Sequence, residues 1–461
     1  MFNKKIIPVY IFLIAFALQA NASPLPLLKV SSAKRYLVTS DGKPFFWMGD
    51  TGWLLLTKLN REDMSSYFKQ RKQQGFNVIQ VMLLHSLEAT DVYGDSALHN
   101  QNVSAPAVTT GNDFIHAEQY DYWDNVDYAV KAAEANGLYM ALVPVWGTNV
   151  KAGGVSIDEA KAYARFLADR YKNNSNIIWM NGGDIEGDIH EEVWNAIGET
   201  LYQYDKNHLI TFHPRGRNGS YKWFNDASWL SFNMVQSGHR NYAQDTAVKD
   251  LKYGEDNWRY INDAYQLQPA KPVLDAEPSY EDIPQGLHDT TQPRWQAADI
   301  RRYAYWSIFA GACGFTYGHN SIMQFKRIGD TNVAYGADKN WQQAMNATGA
   351  NEMQYVVKLM QSVVFETAKP FQDIVKNSGD KYERLAALRG KNFAFVYTYN
   401  GKNIEVDMNM LDGKKSKAFW YNPRNGDKIF IETINNSGVH AFNPPGDKKD
   451  GNDWILILEK I

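Results

Sequence analysis

The sequence predicts an α/β protein in which a (β/α)8 barrel of the TIM type is followed by a C-terminal all-β sandwich. Eight short apolar runs, rich in β-branched and aromatic residues, alternate with segments of helical periodicity. After about residue 366 this pattern gives way to alternating apolar and polar residues. The chain has 461 residues, 44% of them hydrophobic, which is enough for a barrel and a smaller second domain.

The predicted barrel strands are separated by helices with clear start and stop signals. "REDMSSYFKQRKQQG" ends at Gly75, "DYWDNVDYAVKAAEANG" ends at Gly137, and "SIDEAKAYARFLADRYKNN" opens on a serine cap. An open, doubly wound sheet is the alternative, but no glycine-rich dinucleotide turn follows the first strand. The predicted strands occupy residues 43–53, 75–85, 137–147, 175–184, 208–215, 228–239, 271–277 and 313–320.

The predicted sandwich is a series of short strands joined by tight turns. The pairs Asn400-Gly401 and Asn425-Gly426 are hairpin signals between alternating apolar and polar runs. They indicate six to eight antiparallel strands. The chain therefore divides into an N-terminal segment, a barrel domain and a sandwich domain at residues 1–22, 23–365 and 366–461.

The N-terminal segment has the features of an export signal. Lys4 and Lys5 precede an apolar run, and "ANA" at residues 20–22 is a small-x-small cleavage motif. A membrane anchor is the alternative, but the apolar run is short and ends in that motif. We expect cleavage after Ala22 and a bacterial periplasmic or extracellular protein without a stable membrane anchor.

Composition narrows the class of partner. The net charge of −3 provides no basic surface for nucleic acid. The 14 Trp and 27 Tyr residues suit both core packing and stacking on the apolar faces of sugars. No metal-ligand cluster or cofactor motif is present in the sequence, so we expect neither. Cys313 is the single cysteine, which excludes an intrachain disulfide and predicts an inert packed thiol.

Polar or aromatic residues end every predicted barrel strand. In TIM barrels the functional residues lie at the C-terminal ends of the strands, so this pattern predicts a polar, aromatic-lined pocket. The long loop at residues 86–119 is expected to overhang it. Each candidate taken alone is as consistent with a structural hydrogen bond as with a sugar contact. The substrate-binding candidates are Asp50, Trp53, His85, Trp146, Asn181, His213, Gln236, His239, Tyr317 and His319.

Two carboxylates are expected to meet at this pocket. Asp184 ends the fourth predicted strand and Glu277 ends the seventh, and these strands face each other across the barrel mouth. Glycosidic bond cleavage uses such a pair, one as general acid and the other as nucleophile or as base for a water molecule. Spacing alone leaves alternatives open: Glu186 and Asp188 for the first position, and Asp275 and Glu281 for the second.

Eight short motifs in order resemble glycoside hydrolase family 140, the apiosidase-like enzymes, over nearly the whole mature chain. They are "WMGDTGWLL", "PVWG", "NGGD", "HPRG", "NMVQSGH", "KPVLDAEPSYE", "YGHNSI" and "WYNPRNG". The resemblance implies that Asp184 is the acid/base, that Glu277 is the nucleophile, and that no cofactor takes part. Met323 stands where the family pattern suggests Trp, so the sugar pocket is expected to differ in shape.

The implied activity is hydrolysis of an apiose linkage in the rhamnogalacturonan-II side chains of pectin, with an oligo- or polysaccharide as substrate. A retaining mechanism is expected, with the carboxyl groups about 5–5.5 Å apart rather than the about 6.5–9.5 Å of inverting enzymes. A glycoside hydrolase of other sugar specificity is one alternative. A non-catalytic carbohydrate- or matrix-binding protein is another, since related sandwiches are sometimes labelled collagen-binding. The sequence leaves the oligomeric state open.

Overall fold

The computed structural model describes residues 24–246 and 251–461. The expected signal peptide therefore lies outside the described residues. Within the described residues, no helix is both long and apolar enough to span a membrane. A small N-terminal antiparallel sheet precedes the barrel, with β1 at Leu28–Val30, β2 at Leu37–Thr39 and β3 at Pro44–Phe45.

The next nine strands form one sheet. They are β4 (Trp47–Thr51), β5 (Val78–Met82), β6 (Tyr139–Val143), β7 (Ile177–Ile185), β8 (Ile210–Pro214), β9 (Asn218–Gly219), β10 (Asn233–Gln236), β11 (Val273–Asp275) and β12 (Gly314–Tyr317). The neighbours run in the order β8-β7-β6-β5-β4-β12-β11-β10-β9, parallel throughout except for the short antiparallel pair of β9 with β10. Seven of the eight predicted strand segments contain one parallel strand each, and β7 extends one residue beyond the eighth, to Ile185.

The two ends of this sheet meet and nearly close the barrel. The Ser231 N–H donates to the carbonyl oxygen of Ile210 over 2.7 Å. The Thr211 hydroxyl donates to the carbonyl oxygen of Phe232, also over 2.7 Å. These bonds join β8 to the residues that lead into β10. The prediction of a (β/α)8 barrel is confirmed.

Helices fill the connections between the strands. Asn60, Asp121 and Ser156 cap the three predicted helices through side-chain bonds to backbone N–H groups. The helices are α1 (Leu55–Lys58), α2 (Arg61–Gln73), α3 (Tyr122–Ala135), α4 (Gly147–Lys151), α5 (Ile157–Tyr171), α6 (Glu191–Tyr204), α7 (Tyr221–Phe224), α8 (Asn257–Gln266), α9 (Ala297–Phe309), α10 (Asn320–Met323), α11 (Trp341–Ala344) and α12 (Thr348–Gln361).

A buried polar network crosses the barrel interior beneath the C-terminal ends of the strands. The Trp47 indole N–H donates to the Thr316 hydroxyl over 3.0 Å, and this hydroxyl lies 3.3 Å from the side-chain oxygen of Gln80. The Gln80 amide donates in turn to the carbonyl oxygen of Ala276 over 3.1 Å. Since every group here is buried, the network fixes the backbone directly before Glu277.

The C-terminal domain is entirely antiparallel, as the alternating pattern predicts. Gly401 and Gly426 take φ values of +73° and +78° at the two predicted turns. The strands are β13 (Lys369–Pro370), β14 (Leu385–Arg389), β15 (Phe393–Thr398), β16 (Ile404–Asp407), β17 (Lys415–Tyr421), β18 (Lys428–Asn435), β19 (Val439–Phe442) and β20 (Trp454–Lys460). Six form the sheet β13-β14-β15-β20-β17-β18, and β16 pairs with β19.

Candidate active site

A cavity of about 740 Å³ opens at the C-terminal ends of the barrel strands. Asp184 and Glu277 both line it, so the structure brings the two predicted carboxylates together. Trp53, Trp146, Gln236 and His239 also lie in its wall. Asp50, His85, Asn181, His213, Tyr317 and His319 are the predicted ligands that lie elsewhere.

Asp184 reaches the cavity because β7 bulges at its end. Gly182 pairs with His213 and Ile185 pairs with Pro214, so the two residues between them have no partner opposite. Gly183 and Asp184 both have positive φ, +109° and +52°. A Cβ on Gly183 would meet the Trp146 ring at 2.4 Å, so only glycine fits there. The strained φ of Asp184 costs of order 1–3 kcal/mol, and such strain is typical of functional sites.

The surroundings of Asp184 favour its protonated form. Its side chain is exposed to solvent on the side that faces the open cavity. Protein atoms surround it on its other sides. This partial loss of bulk water raises the pKa of its carboxyl, and the negative charge of Glu277 raises it further. His213, His239 and the amide of Gln236 act in the opposite direction, but the net shift of the pKa is upward.

Glu277 is held in its ionised form by two histidines. His239 Nε2 lies 3.1 Å from one carboxylate oxygen and His213 Nε2 lies 3.0 Å from the other. The His213 contact is close but poorly angled for a hydrogen bond. Burial raises the pKa of Glu277, but the two histidine rings beside its carboxylate outweigh burial and lower the pKa to about 2.

The backbone sets the tautomer of His239. The Tyr280 N–H lies 3.4 Å from His239 Nδ1, which must therefore accept, and Nε2 carries the proton that points at Glu277. The Tyr280 ring also packs edge-on against His239, with centroids 4.7 Å apart. His213 is fully buried behind Glu277, so it acts on the carboxylate and does not line the cavity.

Aromatic rings form one wall of the cavity. The ring centroids of Trp53 and Trp146 are 5.4 Å apart, and both rings pack on His213 at 5.4 and 5.9 Å. Such rings suit the apolar CH faces of a sugar. Met323 lies in the same cavity wall, as expected from the departure at this position.

Asp50, a predicted ligand, lies outside the cavity wall and has structural partners. It lies at 0% exposure in β4, where Arg71 Nε contacts its carboxylate at 2.5 Å and the Tyr67 hydroxyl donates to it over 2.6 Å. Both partners come from α2, so the ion pair joins this helix to the barrel. A carboxylate that is fully buried and already paired with an arginine is not accessible to a substrate in the cavity.

Four other predicted ligands have structural partners outside the cavity wall. Asn181 is used at both ends of its amide, donating to the Trp194 carbonyl oxygen over 2.8 Å and accepting from the Gly182 N–H over 3.1 Å. The half-buried His85 ring lies 3.4 Å from the Thr57 hydroxyl. Both residues lie outside the cavity wall, and a role in substrate binding stays a prediction.

Tyr317 ends β12 and His319 follows it as the cap of α10, and both residues lie outside the cavity wall. The buried Tyr317 hydroxyl donates to Glu281 over 2.6 Å. His319 Nδ1 accepts from the Ser321 N–H over 3.0 Å and caps α10. Burial, together with the charge of Lys339, lowers the pKa of His319 to about 3 and keeps its ring neutral.

The structure separates Asp184 and Glu277 from their rivals. Glu186 lines the cavity, and the Arg215 guanidinium donates to its carboxylate over 2.7 Å. Burial raises the pKa of Glu186, but Arg215 outweighs burial, so the net shift of this pKa is downward. An ionised Glu186 is a poor general acid. Asp275 is fully buried beneath the site, and burial raises its pKa to about 6. Asp188 lies outside the cavity wall, and Glu281 is the buried partner of the Tyr317 hydroxyl.

The loop at residues 86–119 was expected to overhang the site, but none of its residues lies in the cavity wall. It packs outward, where the Arg61 guanidinium lies 3.8 Å from the Phe114 ring centroid. The rim is formed instead by residues 286–288 and 332–335, after β11 and β12. Tyr335 in this second segment was not predicted, because no periodicity or motif marks it. Gln324 holds the segment by accepting from the Ala334 N–H over 2.8 Å.

An eight-stranded parallel barrel with an Asp of raised pKa and an ionised Glu at one sugar-sized cavity has the features of the glycoside hydrolase class. Residues 31–367 match the family model "Apiosidase-like, catalytic domain", and residues 370–459 match "Putative collagen-binding domain of a collagenase". The chain belongs to the apiosidase-like family. Among the described residues, no group of three or more His, Cys, Asp or Glu is placed to hold a metal ion.

Solved structures support the same class. A protein titled glycoside hydrolase is 43% identical, with 94% of this chain and 97% of that chain covered and a TM-score of 0.89. A protein from Bacteroides vulgatus titled as a family 5 glycoside hydrolase is 42% identical, with 94% of each chain covered and a TM-score of 0.89. None of the curated proteins matches this chain.

The coupling of the two carboxylates gives a testable prediction. In Glu277→Gln the negative charge beside Asp184 is gone, so ionisation of Asp184 becomes easier and its pKa falls. Carbon-13 NMR titration of the Asp184 carboxyl measures this shift directly. Glu186→Gln is the control that removes a charge from the same cavity wall and is expected to change the pKa less. An Asp184 pKa that is identical in Glu277→Gln and the unaltered protein would show that the pair is not coupled.

Proposed function

We propose that this protein is an exported apiosidase that hydrolyses an apiose linkage in rhamnogalacturonan-II side chains with retention of configuration. The observation that carries the hydrolytic part is that Asp184 and Glu277 line one cavity, with His213 and His239 placed 3.0 and 3.1 Å from the Glu277 carboxylate. Membership of the apiosidase-like family supports the choice of sugar. The export signal expected from the sequence of residues 1–22 supports the location, since polymeric pectin does not enter cells intact.

The proposed reaction has two steps. The ionised Glu277 attacks the anomeric carbon while the bond to the leaving oxygen breaks, and Asp184 gives that oxygen its proton. The ionised Asp184 then takes a proton from water, which attacks the same carbon and releases Glu277. His213 and His239 hold Glu277 in position and keep it free of a proton. Trp53 and Trp146 provide the surface on which the sugar packs.

A binding protein without catalysis is a weaker candidate. Two carboxylates that share one partly desolvated cavity repel each other, and this repulsion destabilises the fold. The bulge at Asp184 adds backbone strain. A sugar-binding site needs neither feature, whereas double displacement needs both carboxylates.

The sugar specificity is tested by product analysis. We expect the protein to release apiose, or an oligosaccharide with apiose at its new reducing end, from purified rhamnogalacturonan II. Chromatography of the products with mass spectrometry identifies them. Glu277→Ala is the matched control and is expected to release nothing. The protein is also tested on a panel of plant polysaccharides. If it releases another sugar and no product contains apiose, the choice of apiose is contradicted, while the assignment as a hydrolase still holds.

The role of each carboxylate is tested by the leaving group. Asp184→Ala is expected to lower kcat/KM by about 10²–10⁴-fold on a natural glycoside, because the leaving oxygen then departs without a proton. On an aryl glycoside the phenol leaves without protonation, so the rate of the glycosylation step is expected to fall far less in this variant. Glu277→Ala is expected to be inactive on both substrates.

Glu186→Gln and Asp275→Asn are the controls for this comparison. Neither residue has a part in the reaction, so each is expected to lose activity only modestly, with folding verified by thermal melting. Equal losses on both substrates for Asp184→Ala, together with a leaving-group dependence in Glu186→Gln, would assign the acid to Glu186 instead.

A further inference from the structure

The sandwich shares its core with the barrel. The Tyr305 ring of α9 stacks on Tyr397 of β15 with centroids 4.9 Å apart, and Phe309 stacks on Phe395 at 6.1 Å. All four side chains are almost completely buried. One face of the six-stranded sheet is therefore covered by the barrel, and the sandwich is not a freely hanging module.

Buried ion pairs reinforce this contact. Arg301 of α9 binds the Asp453 carboxylate through two N–H groups, at 2.8 Å each, which is the bidentate geometry that favours arginine. The next residue, Arg302, contacts Glu255 at 2.7 Å, and both of these side chains are buried. Glu255 belongs to the segment that follows β10, on the same side of the barrel as the cavity wall.

Tyr382 of the sandwich completes the surroundings of Glu255. Its hydroxyl lies 2.9 Å from each of the two carboxylate oxygens. Glu255 Oε1 also accepts from the Tyr242 N–H over 3.3 Å. A side chain from the C-terminal domain therefore helps to fix the segment that begins three residues after His239.

A short path leads from Glu255 to the cavity. The N–H of the preceding residue, Gly254, donates to Asp245 over 2.7 Å. The other oxygen of the buried Asp245 carboxylate lies 3.4 Å from Arg217 Nε. Arg217 lines the cavity close to Gln236 and His239. The Asp245 carboxylate thus lies beside this guanidinium, and the same carboxylate binds the backbone N–H next to Glu255.

We propose that Tyr382 is a positioning residue for the active site, which it serves by holding Glu255 and, through Gly254 and Asp245, the cavity-lining Arg217. The sandwich then has an intramolecular role in substrate binding. This inference depends on the hydrolytic cavity of the family and not on which sugar is cleaved.

Tyr382→Phe tests the proposal, because it removes one hydroxyl and keeps the ring. Tyr399→Phe is the matched control: its ring also lies over Arg302, but its hydroxyl donates to Asp299 instead of Glu255. We expect KM in Tyr382→Phe to rise about three- to tenfold with kcat within about twofold, because the lost bond is to a charged group but acts at a distance. Tyr399→Phe is expected to keep the KM of the unaltered protein.

Hydrogen–deuterium exchange supplies a readout that needs no substrate. The amides of Tyr242 and Gly254 are expected to exchange faster in Tyr382→Phe than in Tyr399→Phe, while the amides of the sandwich strands stay unchanged. Asp245→Asn is expected to reproduce the rise in KM, and the double variant with Tyr382→Phe is expected to show less than the product of the two effects.

The opposite results would overturn the proposal. One is a KM and an exchange pattern in Tyr382→Phe that equal those of Tyr399→Phe. Another is a rise of KM in the double variant that equals the product of the two single rises. This result would show that Tyr382 and Asp245 act independently. Hydrolysis by the unaltered protein is measured in the same assay, so a failure of this proposal is distinguishable from a failure of the hydrolase assignment.

Discussion

The site depends on one electrostatic constraint: two carboxylates in a partly dry cavity cannot both be ionised at low cost. His213 and His239 decide which of them carries the charge, because both direct a ring nitrogen at Glu277. The charge held there then favours the proton on Asp184. The histidines come from β8 and from the turn after β10, and the two carboxylates from the ends of β7 and β11. Only closure of the barrel brings these four positions together.

Much of this arrangement was predictable from sequence. Apolar runs and helix caps are local signals, and they placed the eight strands, three of the helices and the two carboxylates. The predicted ligands that lie outside the cavity wall do so for physical reasons. A polar residue at a strand end can face the cavity or pack against a helix, and spacing does not distinguish the two. Asp50 pairs with Arg71 of α2, and Tyr317 pairs with Glu281, so tertiary contacts decided both cases.

The remaining features have no local signature. Tyr335 reaches the cavity from an irregular segment after β12 that is held by Gln324. Length alone suggested that residues 86–119 would cover the site, but Arg61 holds Phe114 on the outside of the barrel. The contact of Tyr382 with Glu255 joins residues 127 positions apart, from two different domains. Such long-range contacts follow from the packing of whole elements and not from any short motif.

The direct test of this account is to trap the covalent intermediate. In a 2-fluoro glycoside the fluorine slows both steps of a double displacement. A good leaving group speeds the first step again, so the covalent glycosyl-enzyme forms faster than it is hydrolysed and accumulates. Mass spectrometry of the digested protein then locates the added sugar. The account predicts a label on the peptide that contains Glu277, specifically on its carboxylate. A label on Asp184 or Glu186, or turnover without any label and with an inverted product, would contradict it.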